Sequence, residues 1–189
     1  MPRTALFPIE VAQPEAFVAD DASSWPRVDG RLEFVGGRLL YMPPCGDIQQ
    51  DVTGSVAVVV GSWAESRDEF VFATGEAGML LEGDVRAADV AIWRRDLLGP
   101  YSGGYRRVPP VLAVEVAGQH HTEQLLRDKA AWYLDRGVCV VWLVLPEGRQ
   151  VVVLTADRET RSQKGERIPG HPELPGLAPD VDRLFRQLS

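Results

Sequence analysis

The run "VLAVEVAG", Val111 to Gly118, is apolar except for one carboxylate, Glu115. It has the length of a strand and apolar side chains on both alternating faces, which predicts a strand at the centre of a sheet, covered on both sides. From Thr122 to Arg136 the pattern changes to helical spacing. Leu125, Leu126, Lys129, Ala130, Trp132 and Tyr133 fall on one side, and Gln124, Arg127, Asp128 and Asp135 on the other. Glu123 in the first turn and Gly137 just past the end are the expected boundaries of that helix. The apolar runs "VCVVWLVLP" and "RQVVVLTA" then read as two strands parted by the turn residues Glu147 and Gly148.

Earlier in the chain, "RLEFVGGRLLYMPP" reads as two short strands about Gly36-Gly37. Next comes "QQDVTGSVAVVVGSWAESR", where Val52, Val56, Val59, Val60 and Trp63 recur at helical spacing and predict a helix despite the many β-branched residues. Between Phe70 and Trp93, short apolar groups alternate with Gly and charge, which predicts two or three strands in a meander or hairpins. The tail "PGHPELPGLAPDVDRLF" reads as a Pro/Gly-rich loop ending in a short helix. A strand–helix–strand crossover keeps two strands parallel among hairpins, so the expected fold is α/β (α+β) with a central mixed β-sheet flanked by helices. With no repeat and no long linker, residues 1–189 are expected to form a single domain.

Composition narrows the function. A formal charge of −7 argues against a protein that coats nucleic acid, though not against one that meets it locally. No segment approaches the roughly 20 apolar residues of a membrane span, and "MPRTALFPIEVAQPEAF" is broken by Pro and Glu, so neither membrane insertion nor a signal peptide is expected and the placement is cytoplasmic. Cys139 lies in an apolar run and reads as core, Cys45 as loop; neither suggests a disulfide. The pairs Arg94-Arg95 and Arg106-Arg107 read as solvated surface. Only two of the twenty basic residues are lysines, Lys129 and Lys164.

A carboxylate in a doubly buried strand costs several kcal/mol unless it is paired or its pKa moves. Glu115 is therefore either one half of an ion pair with an arginine or part of a metal or acid/base site. Asp89, in "RAADVAIW", is a second acid beside an apolar strand, and Lys129 lies near the middle of the apolar stripe of the helix that follows Glu115. Two carboxylates from neighbouring strands suit a hard cation such as Mg²⁺. A lysine turned toward them suits a phosphate more than a sugar, which ranks glycosidic chemistry by the acid pair last. Glu33, between Leu32 and Phe34, is a further candidate, although an alternating strand puts a polar residue there by default.

In order along the chain, "RLEFVGGRLLYMPP", "AADVAIW", "PPVLAVEVAG", "RDKAAWYLDRGVCVVWLVLPEGRQVVVL" and "LPGLAPDVDRLF" resemble the bacterial Uma-two endonuclease family of the PD-(D/E)-x-K restriction-endonuclease-like superfamily. The resemblance covers residues 31–185 and leaves 1–30 as an N-terminal extension. It implies a restriction-endonuclease-like fold with additional N-terminal strands, Asp89 and Glu115 as ligands of Mg²⁺ or Mn²⁺, Lys129 as the catalytic lysine, and Glu33 as a further ligand. The superfamily's usual lysine position holds Ala117, and this family is similar in taking its lysine from the following helix. Two departures stand out. "AGQHH", Ala117 to His121, replaces the family's loop after the catalytic strand, and the family's histidine ahead of the first helix falls at Ile48, leaving Gln49 as the nearest polar residue. His120 and His121 are expected as exposed loop residues, or else as polar groups replacing that histidine near the pocket. The resemblance implies metal-dependent cleavage of DNA, with a homodimer expected by analogy with enzymes that cut two strands. The alternative is a non-catalytic nuclease-fold module with a binding, regulatory or assembly role.

Overall fold

The structure is a computed structural model and describes residues 7–188. Among those residues, nine strands form one mixed sheet and three α-helices pack on it. In chain order these are β1 (Ile9–Val11), β2 (Arg31–Val35), β3 (Arg38–Met42), α1 (Asp47–Glu65), β4 (Phe70–Leu81), β5 (Asp84–Arg94), β6 (Leu112–Val116), α2 (Glu123–Asp135), β7 (Val140–Leu145), β8 (Gln150–Leu154), β9 (Glu159–Gln163) and α3 (Val181–Leu184). The order across the sheet is β1-β3-β2-β5-β6-β7-β8-β9, with β4 on β5. The pair β6–β7 is parallel and joined through α2; the other pairs are antiparallel.

The two faces of the sheet bury different sets of side chains, as a period of two requires. Leu112, Val114 and Val116 of β6 meet α1 through Val52, Val56, Val60 and Trp63, and the C-terminal segment adds Ile168, Leu174, Leu184 and Phe185 to the same layer. Ala113 of β6 joins Ala91, Val141 and Leu143 beneath Leu126, Ala130, Trp132 and Tyr133 of α2. The small residues Ala91 and Ala113 on that face leave room for the aromatic side chains of the helix. Helix α2 starts at Thr122, whose hydroxyl accepts from the Leu125 amide at 3.2 Å, and stops before Gly137 at φ +88°.

The segment read as two or three strands resolves into one long hairpin, β4–β5, turning at Glu82 and Gly83, both at positive φ. Its register shifts between Thr74 and Ala77, so Gly75 and Glu76 together oppose one residue, Asp89. This is a β-bulge, and both bulged residues have positive φ, +73° and +68°. Strand β9 is not announced by the sequence, whereas β1 is an additional N-terminal strand of the kind the resemblance implies. Cys139 is half-buried against the core rather than fully inside it.

Candidate active site

Strand β5 is paired with β4 along nearly its whole length. On its other edge it meets β2 only at Val85 and β6 only from Val90 to Ile92. Between these contacts the sheet splits, and on this edge Ala87 has no strand partner. Side chains take over the missing ladder. Its N–H donates to Glu33 Oε1 at 3.4 Å and its carbonyl accepts from Lys129 Nζ at 2.8 Å. The charged residues singled out from the sequence gather at this split.

Continuing the β5–β6 register by one residue from Val90↔Val114 sets Asp89 opposite Glu115, on the face that α2 covers. Both are buried, at 4% and 2% exposure. Asp89 Oδ2 accepts from the Val116 amide at 2.7 Å, and its Oδ1 lies 3.3 Å from Arg31 Nη1. Glu115 Oε1 accepts from the Tyr133 hydroxyl at 2.7 Å. Lys129 Nζ stands 3.0 and 3.1 Å from the two Glu115 oxygens and 2.7 Å from Glu33 Oε1. Tyr133 and Lys129 are four residues apart, so one face of α2 presents both to the same carboxylate.

Glu33 is held between Lys129 and Arg86, its Oε2 lying 3.1 Å from Arg86 Nη1. Its carboxylate is thus spent on two cations and on the Ala87 amide. Arg31 bridges Asp89 and Glu76, the latter at 3.2 Å, which puts the bulge residue within the site.

Electrostatics follow from this packing. Burial, and the neighbouring carboxylates of Asp89 and Glu33, push Glu115 up to about 7 against the pull of Lys129. Burial also acts on Glu33 and Lys129, but their opposite charges outweigh it, so Glu33 sits below and Lys129 above the ordinary values. Tyr133 is held well above its ordinary value by burial and by Glu115, and stays a hydrogen-bond donor.

The mouth of the site carries the altered loop. Gln49 is buried and donates to the Val116 carbonyl at 3.0 Å, while Ile48 beside it points outward, 54% exposed. A Cβ at Gly118 would lie 2.1 Å from Gln49 Oε1, so the loop after β6 needs glycine where Gln49 passes. His121 is half-buried rather than exposed, and its Nδ1 accepts from the Gly118 amide at 3.1 Å. Burial and the cations Arg31 and Lys129 lower it to about 4, so it is a neutral imidazole at neutral pH. Arg31, Gln49, Gly118 and His121 line one small recess.

Sequence reasoning missed Arg31, Arg86, Glu76 and the role of Tyr133. Arg31 and Arg86 sit in alternating strands, where a charge reads as solvent-facing; Tyr133 was visible only as part of an apolar stripe.

Among the described residues, no group of three or more His, Cys, Asp or Glu side chains stands close enough to hold a metal. The available set is the pair Asp89 and Glu115. Mg²⁺ is commonly held by one or two carboxylates, with water and substrate oxygens completing its octahedron, and this pair fits that pattern. It does not fit the closed four-ligand set of a structural zinc. The fit has electrostatic support. Two carboxylates face each other across adjacent strands, and a divalent cation would relieve the repulsion between them, which adds to the effect of burial on Glu115.

Among the described residues, no helix is long and apolar enough to cross a membrane. The fold is similar to that of a protein from Anabaena variabilis ATCC 29413, whose crystal structure is described as that of "a putative nuclease belonging to DUF820". The TM-score is 0.77 at 13% sequence identity, over 88% of this chain and 96% of that one. No curated protein matches the chain. The profile of the Uma2 family, described as "Putative restriction endonuclease", matches residues 19–182. That span holds β2 with Glu33, the hairpin with Asp89, β6 with Glu115 and α2 with Lys129, and the chain belongs to the Uma2 family.

Proposed function

We propose that the protein is a metal-dependent endonuclease that hydrolyses phosphodiester bonds in DNA. One observation carries this reading: Asp89, Glu115 and Lys129, from two adjacent strands and the helix packed on them, lie together in one buried cluster of side chains. Asp89 and Glu115 would hold Mg²⁺ or Mn²⁺, which when bound supplies an activated water and screens the phosphate. Lys129, kept charged by Glu115 and Glu33, would stabilise the negative charge that develops on the phosphate. Tyr133 fixes the orientation of Glu115, and the Val116 amide fixes that of Asp89.

The test is cleavage of plasmid and of single-stranded DNA by the purified protein with Mg²⁺ or Mn²⁺. Cleavage is expected to stop in EDTA and to fall at least about a hundredfold in Glu115→Ala. Undiminished cleavage by a pure Glu115→Ala protein would refute the proposal.

A second reading has its own observation. All four oxygens of Asp89 and Glu115 already have protein partners: Arg31, the Val116 amide, Lys129 and Tyr133. Such a closed network suits a binding or assembly module that keeps the nuclease fold without its chemistry. Calorimetric titration with Mg²⁺ separates the two. Heat of binding that is lost in Asp89→Asn supports the enzyme, and no heat supports the module.

A further inference from the structure

On the far side of Arg31 lies a second cavity, of about 550 Å³, between the N-terminal segment and the β4–β5 hairpin. Its charged lining is Arg27, Arg31, Arg86 and Glu76, three cations to one acid in a chain of net charge −7. Trp25 and Tyr105 supply its aromatic wall, with ring centroids 5.9 Å apart. The wall is firmly seated. The Trp25 indole donates to the Ala19 carbonyl at 3.2 Å and packs on Phe17 at 5.5 Å. Tyr105 packs against Gly78, where an added Cβ would lie 3.0 Å from its ring.

The arginines bring charge to the cavity rather than an open donor at Nε. Arg31 and Arg86 meet their carboxylates through Nη1, and the Nε of each is buried with no partner among the described residues. The cavity and the candidate active site share Arg31. The cavity also borders Ala87, whose carbonyl binds Lys129.

Two aromatic rings, tilted 52° to one another, beside guanidinium groups match a nucleotide, with a ring face for a base to stack on and a cation for a phosphate to pair with. The volume lies within the roughly 300–1,000 Å³ of small-ligand pockets. A base paired inside a duplex cannot enter such a cavity without leaving the stack.

We propose that this cavity is a subsite for one unpaired nucleotide of the substrate strand, its base against Trp25 and Tyr105 and its phosphate toward Arg27 and Arg86. The preferred substrate is then single-stranded or locally unpaired DNA. The inference rests on the nuclease reading, and its test is separable from it.

The measurement is fluorescence anisotropy of a labelled 12-nucleotide DNA with the full chain in EDTA, as a single strand and as a blunt duplex. The single strand is expected to bind at least roughly tenfold tighter than the duplex, and to weaken by roughly tenfold or more in Tyr105→Leu and in Arg27→Glu. Arg27 is exposed, so its variant tests the cavity even if Tyr105→Leu disturbs packing. Equal binding of strand and duplex, or unchanged binding by Arg27→Glu, would overturn the subsite. So would deoxyadenosine monophosphate binding as tightly as the strand, which would mark a site for free nucleotides. Strand binding that depends on the cavity, in a protein that cuts nothing with Mg²⁺ or Mn²⁺, would uphold the subsite and remove the nuclease reading. Cleavage together with unchanged binding by both variants would do the reverse.

Discussion

Glu115 and His121 pull the protein's stability in opposite directions as pH changes. The folded state holds a proton on Glu115 up to about 7, against an ordinary value of 4.5. Its contribution to stability is therefore fully present below pH 4.5 and is lost as pH rises toward 7. His121, lowered from 6.5 to about 4, contributes stability above pH 6.5 that is lost as pH falls toward 4. In metal-free protein, Glu115→Gln should be more stable relative to wild type at pH 7.5 than at pH 5, and His121→Gln the opposite. Urea midpoints at the two pH values in EDTA read both, and parallel shifts in the two variants would contradict the assignment. Tyr133→Phe removes one donor from Glu115 without changing the shape of the core. It is expected to cost about 1–3 kcal/mol, measured by the same midpoints.

At the scale of elements, the loop leaving β6 shows how a small residue fixes a site. Gln49 reaches the Val116 carbonyl only because residue 118 has no side chain. Gly118→Ala should expel Gln49 and leave a buried carbonyl unpaired, costing about 1–3 kcal/mol. Gly99→Ala, with nothing within 4 Å of the added carbon, should stay within about 0.5 kcal/mol of wild type. Comparable losses at both positions would refute the steric argument. The same loop marks the limit of what the sequence discloses. Asp89, Glu115 and Lys129 were legible because a charge inside an apolar pattern needs a physical reason. Arg31 was not, since a charge at the start of an alternating strand needs none. Strand β9, "ETRSQ", is a polar edge strand without apolar alternation, and its pairing with β8 comes from backbone contacts that no side-chain pattern announces. The bulge at Gly75 and Glu76 depends on the register between β4 and β5, which local sequence does not encode, so Glu76 was not expected in the site.

At the scale of the whole molecule, a net charge of −7 limits how nucleic acid can be held. A basic face spanning many phosphates would make binding steeply salt-dependent, with a slope of log K against log salt of about −0.7 per phosphate contacted on a single strand. This chain instead concentrates Arg27, Arg31 and Arg86 at one cavity, and Arg31 and Arg86 are partly committed to Asp89 and Glu33. One nucleotide with its flanking phosphates makes one or two phosphate contacts the expected footprint, which gives a slope of about −0.7 to −1.4 for a single strand in EDTA. Removing Arg27 should make the slope shallower by about 0.7. A slope of about −5 or steeper would mean that most of the binding energy comes from a surface other than this cavity. The acidic remainder then has a consistent role: it repels any backbone not held locally, so affinity is expected to depend on engagement of the cavity rather than on length of DNA.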